Sequence, residues 1–96
     1  MKEEMIRVES QDGIVWRTVN KETVILDQKT GWYYSLDETG TEIWNLFMAD
    51  KNLQQVTKFI AGKYNVTQKK ANSDTLEFIK NLSREKIVKI VTGGAK

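Results

Sequence analysis

The sequence contains no cysteine, no histidine and no proline. Without cysteine there are no disulfide staples and no thiolate zinc sites. Without histidine the commonest metal ligand and the usual general base near neutral pH are gone. Carboxylates remain, but pairs such as Glu3–Glu4 sit in a polar terminus and read as solvated surface, and the patterned loop of a calcium hand is missing. The expectation is therefore a binding protein, not an enzyme, with no catalytic residues, no metal and no cofactor. No apolar run approaches the roughly 18 residues of a membrane span. The opening MKEEMIRVES also lacks the apolar region of a secretory signal. A cytoplasmic chain with no membrane contact is expected, free of repeats and of proline-rich or low-complexity segments.

What is present is ordinary globular composition: 96 residues, 40% hydrophobic and 29% charged. That length suits one domain, expected over residues 1–92 with a flexible tail at 93–96, hiding roughly 60–65% of the surface of the unfolded chain. The net charge of +2 conceals a split. Residues 1–50 carry five basic against ten acidic side chains, and residues 51–96 carry ten against three. A basic second half suits nucleic acid, an acidic peptide or a lysine-rich solvated surface.

Residues 1–10 are mixed and polar, with Met5, Ile6 and Val8 the only apolar side chains after Met1, and no role is assigned to them. After the turn signal Gln11-Asp12-Gly13, Ile14 to Val19 reads as a first strand, and Thr23 to Asp27 as a second. Asp27 to Gly31 suits a type I turn closed by a left-handed glycine. A third strand, Trp32 to Leu36, points Trp32, Tyr34 and Leu36 one way and Tyr33 and Ser35 the other. Asp37 caps a first helix running to about Met48, with Ile43, Leu46 and Phe47 buried and Trp44 at the edge. Gly40 in its first turn suggests close approach of another backbone. A second helix after Asn52 buries Leu53, Val56, Phe59, Ile60 and Tyr64. Thr67 caps a third, on which Ala71, Thr75, Phe78 and Leu82 share a face flanked by Leu76 and Ile79. Lys86 to Val91 reads as a short strand or a ragged helix extension.

The fold class is thus α+β: a three-stranded antiparallel sheet followed by three helices, which cover one sheet face. The third strand ends the meander and is an edge. Edges are normally blunted by lysine, proline or a bulge, and none interrupts Trp32 to Leu36. An unguarded edge of this kind can accept a peptide as an added strand. Core packing competes for the same aromatics, and also for Asp74, Thr75, Phe78 and Ile79.

The stretch VILDQKTGWYYSLDETGTEIWNLF resembles the heart of the PqqD-like family, the recognition elements of ribosomally made, post-translationally modified peptide pathways. The resemblance rests on Leu26-Asp27, the Thr30-Gly31 turn, Tyr33-Tyr34-x-Leu36 and Gly40-x-x-Ile43-Trp44, and extends loosely over residues 13–85. It implies a winged-helix-turn-helix-like fold that binds a precursor's leader peptide along the third strand, in a groove beside the third helix. Asp27 to Gly31 looks like the stand-alone leader-binding protein of lasso-peptide pathways, which implies a leader peptidase or another modifying enzyme as second partner. Mapped onto this chain, the peptide-binding set is Trp32, Tyr33, Tyr34, Ser35, Leu36, Lys70, Asp74, Thr75, Phe78 and Ile79. Trp32 and Lys70 depart from the family pattern, which commonly has a charged residue and an acid there. Two other readings remain. A winged-helix DNA binder would use the third helix, opening with Lys69, Lys70, Asn72 and Ser73, although the acidic strand half argues against nucleic acid. A subunit-docking domain with no peptide ligand is the third.

Overall fold

A computed structural model describes residues 5–92, so Glu3–Glu4 and the tail expected at 93–96 lie outside the described residues. In order along the chain come β1 (Arg7–Ser10), β2 (Ile14–Val19), β3 (Glu22–Asp27), β4 (Tyr33–Leu36), α1 (Glu38–Met48), α2 (Leu53–Tyr64), α3 (Gln68–Arg84) and β5 (Val88–Val91). Strands β2, β3 and β4 form a three-stranded antiparallel sheet in that order, and β1 pairs with β5 in a separate two-stranded one.

Turn chemistry sets the meander. Asn20 and Lys21 both adopt positive φ, the requirement of a two-residue hairpin whose twist matches its strands. At the next corner Gly31 takes φ +82, its N–H donates to the Asp27 carbonyl, and the Asp27 N–H donates to the Trp32 carbonyl. Two residues then oppose one, a bulge that glycine permits without strain. The strand consequently begins at Tyr33, one residue later than the sequence suggests, and Trp32 belongs to the corner.

Alternation divides the sheet. Trp16, Ile25 and Tyr34 stand side by side on the inner face, and Val15, Leu26 and Tyr33 on the outer. Ile25 is fully buried against α1, where Trp44 and Phe47 are also buried and Trp16 meets Trp44 edge-on at 5.3 Å. Trp44, expected at the helix edge, is thus a core residue because Trp16 of β2 packs against it, while Leu46 is only half-buried. On α2 the buried stripe is Leu53, Val56, Thr57 and Ile60. Phe59 and Tyr64, expected in the core, are exposed: Lys63 lies over both rings, and the Tyr64 hydroxyl reaches Glu42 on α1.

All three helices are capped as their sequences suggest. Asp37 accepts from the Gly40 N–H, Asn52 and Gln55 form a reciprocal capping box, and Thr67 accepts from the Lys70 N–H. The β1–β5 ribbon gives the polar N-terminal segment its place. Ile6, Val8, Ile87 and Val88 are buried in the common core, and Gln11 hydrogen-bonds the carbonyls of Ile87 and Val88.

Candidate functional site

Among the described residues β4 pairs with β3 alone, and no strand covers its other side. Because the Asp27 N–H bonds the Trp32 carbonyl, the alternation of an antiparallel ladder turns the N–H and C=O groups of Tyr34 and Leu36 toward β3. Those of Tyr33 and Ser35 face outward. Four main-chain groups are therefore presented in strand geometry with no pairing strand.

Beside this edge runs a groove walled by β4 and α3. Gly40 opens it, for a Cβ there would sit 3.3 Å from the Leu36 Cβ and 3.4 Å from the Phe78 ring. The close approach expected of Gly40 is thus one of side chains, Leu36 at the end of β4 and Phe78 on α3, and not of another backbone. At the Leu36 end a depression of about 490 Å³ is floored by Leu36, Ile43 and Phe78 and rimmed by Ser35 and Asp74. Asp74 pairs there with Lys70 at 3.2 Å. At the opposite end, about 730 Å³ opens between Trp32, Tyr34, Leu82 and Ile87, with Asp27 and Glu85 at its margins. The Tyr34 hydroxyl lies 3.5 Å from a Glu85 oxygen, and partial burial followed by the Glu85 and Asp27 carboxylates pushes its phenol above the usual value.

The ten residues singled out from the sequence do not all reach this groove. Trp32, Tyr34 and Leu36 face it, and Trp32 is 67% exposed, uncovered by any helix. Asp74 and Phe78 line it from α3, and Lys70 reaches it through Asp74. Tyr33 projects to the outer sheet face beside Val15, Val24 and Leu26, while Ser35 contributes its backbone and borders the Leu36 depression. Thr75 and Ile79 are fully buried and carry no accessible surface. Ile43, Asn81, Leu82, Glu85 and Ile87 also line the groove. Leu82 shares the α3 stripe with Phe78 and was within reach of periodicity; Glu85 and Ile87 depend on the return path of β5, which periodicity does not reveal.

The chemistry on offer is recognition of an extended chain. Among the described residues no cluster of acidic side chains could hold a metal ion, and no helix is long and apolar enough to cross a membrane. The profile of the PqqD family, described as coenzyme PQQ synthesis protein D, matches residues 22–88.

The chain belongs to the PqqD family. The PqqD match opens at the start of β3 and closes on β5, so both walls of the groove lie inside it and β1 and β2 lie outside. Two solved structures share the fold. TbiB1 in complex with the TbiA(β) leader peptide is 26% identical, with a TM-score of 0.81 over 92% of this chain and 99% of that one. A lasso peptide synthetase B1 complexed with the leader peptide is 20% identical, with a TM-score of 0.79 over 88% and 98%. No curated protein sequence matches the chain.

Proposed function

We propose that this protein binds the leader segment of a ribosomally synthesised precursor peptide as a strand added to β4, and presents it to a processing enzyme such as the leader peptidase of a lasso-peptide pathway. The observation that carries this reading is the unguarded β4 edge beside an apolar groove. Membership of the PqqD family and the leader-peptide complexes of TbiB1 and the B1 synthetase support it. The role is binding, with chemistry left to the partner enzyme.

Energetics assign different tasks to edge and groove. Each main-chain bond contributes about 0.5–1.5 kcal/mol net, whereas ordering the peptide backbone costs about 1–2 kcal/mol per residue. The strand pairing alone comes out near zero. It sets register, while affinity comes from anchor side chains, each worth roughly 1.5–3 kcal/mol when buried in the groove. Trp32, Tyr34, Leu36 and Phe78 are the anchor-binding surface in this scheme. Thr75 and Ile79 hold α3 in place from within, and Lys70 with Asp74 forms one rim.

The DNA-binding reading is not favoured. Both similar structures are leader-peptide complexes, and the strand-bearing half is acidic where a wing on phosphates would be basic. Fluorescence anisotropy with a labelled leader from a neighbouring precursor gene is the direct test. Saturable binding in the micromolar range or tighter is expected, and no binding at high micromolar concentration would sink the proposal.

A further inference from the structure

The two ends of the groove differ in how their charges are used. At the Leu36 end both acids are engaged: Asp74 pairs with Lys70, and Asp37 caps α1. At the Trp32 end they are not. Asp27 is only 8% exposed; one of its oxygens accepts the Lys29 N–H at 2.9 Å, and the other has no hydrogen-bond partner among the described residues. Glu85 is the C-cap of α3, where the helix itself carries partial negative charge, so a carboxylate there opposes the helix dipole. Its contact is the long one to the Tyr34 hydroxyl. Arg84, the basic residue of that last turn, donates instead to Asn81 and borders a separate depression with Leu76, Glu77 and Lys80. The Trp32 well is therefore an apolar cup holding two carboxylates and a helix C-terminus, with no lysine or arginine in its lining.

We propose that this well takes a lysine or arginine side chain of the bound leader, while the Leu36 depression takes an apolar one. The inference rests on the leader-binding reading and specifies its ligand. A basic side chain suits both halves of the cup, laying its methylenes along Leu82 and the Trp32 and Tyr34 rings and placing its charged head between the carboxylates. An uncharged anchor would bury the free Asp27 oxygen without a partner, which is costly. Trp32 and Leu36 are four residues apart on one side of the chain, so a paired strand with a two-residue period addresses both wells with side chains four positions apart. The recognition pattern is a basic and an apolar residue at that spacing.

The probe is a phage-displayed library of random twelve-residue peptides, selected against the full chain and against its Ser35→Pro variant. Peptides enriched on the wild type alone should carry lysine or arginine at one position and an apolar residue four away. Replacing that lysine by norleucine in a synthetic peptide should weaken binding about tenfold, equivalent to about 1.4 kcal/mol. With Glu85→Gln, which keeps an acceptor for Tyr34 at an exposed position, the difference should shrink to about threefold while the melting temperature holds or rises. Edge-dependent peptides without basic enrichment, or an undiminished lysine preference in Glu85→Gln, overturn the assignment of the well and leave leader binding standing. If no peptide is enriched on the wild type over Ser35→Pro, edge binding fails and the proposal falls with it.

Discussion

Thr75 and Glu42 show how differently a polar side chain can sit in so small a protein. The Thr75 hydroxyl is fully buried with no hydrogen-bond partner among the described residues. Thr75→Val keeps the shape and removes the unpaired group, so urea unfolding should show a gain of about 1 kcal/mol. Leader affinity should not change, because Thr75 has no surface in the groove; a loss would return it to the peptide-contacting set. Glu42 on α1 is the opposite case. It accepts hydrogen bonds from Lys63 and Tyr64 at the end of α2. Partial burial raises its carboxyl, but those two bonds outweigh it and hold the group below its ordinary 4.5. A depressed carboxylate stabilises the fold above the unfolded value and loses that contribution as pH falls through the folded one. Glu42→Gln should therefore melt below the wild type at pH 7, and the two curves should converge as the pH drops under 4.5.

At the level of elements, β4 separates folding from binding. The Ser35 amide faces away from β3, so Ser35→Pro removes no bond of the existing sheet, and proline is tolerated on an edge strand. Cooperative thermal unfolding within a few degrees of wild type is expected, with leader affinity at least tenfold lower; unchanged affinity would move the binding site elsewhere. The meander and the helices were legible because their signals are local. Asx and threonine caps, a glycine corner and period-two alternation act within a few residues of one another. The β1–β5 pairing was not, since Arg7 meets Val91 across almost the whole chain and neither segment is long enough to announce a strand. The open edge was visible in the sequence as a lack of guards. The depth of the groove was not: periodicity assigns Phe78 and Ile79 to neighbouring faces of α3 without saying which one β4 leaves uncovered. Trp32 was aligned correctly with Tyr34, but its exposure follows from the bulge that ends the turn.

For the molecule as a whole, the β1–β5 ribbon joins two halves of opposite charge. Ile87 and Val88 are fully buried, and burying such side chains is worth roughly 1.5–3 kcal/mol each. A chain ending at Lys86 should lose about 3–6 kcal/mol, a large part of the total for a domain of this size, and should show little cooperative melting in calorimetry. It should also lose one wall of the Trp32 well, which Ile87 lines. The same ribbon has a mechanical consequence. Its antiparallel register sets the first residue of β1 opposite the last of β5, so those two ends of the ribbon lie side by side. Tension applied there peels the rungs one after another instead of shearing them together. Yielding should begin at the ribbon and expose Ile6, Val8, Ile87 and Val88 before the meander is disturbed. The first element to yield is thus the ribbon, and the edge proposed to take the leader lies in the meander that outlasts it.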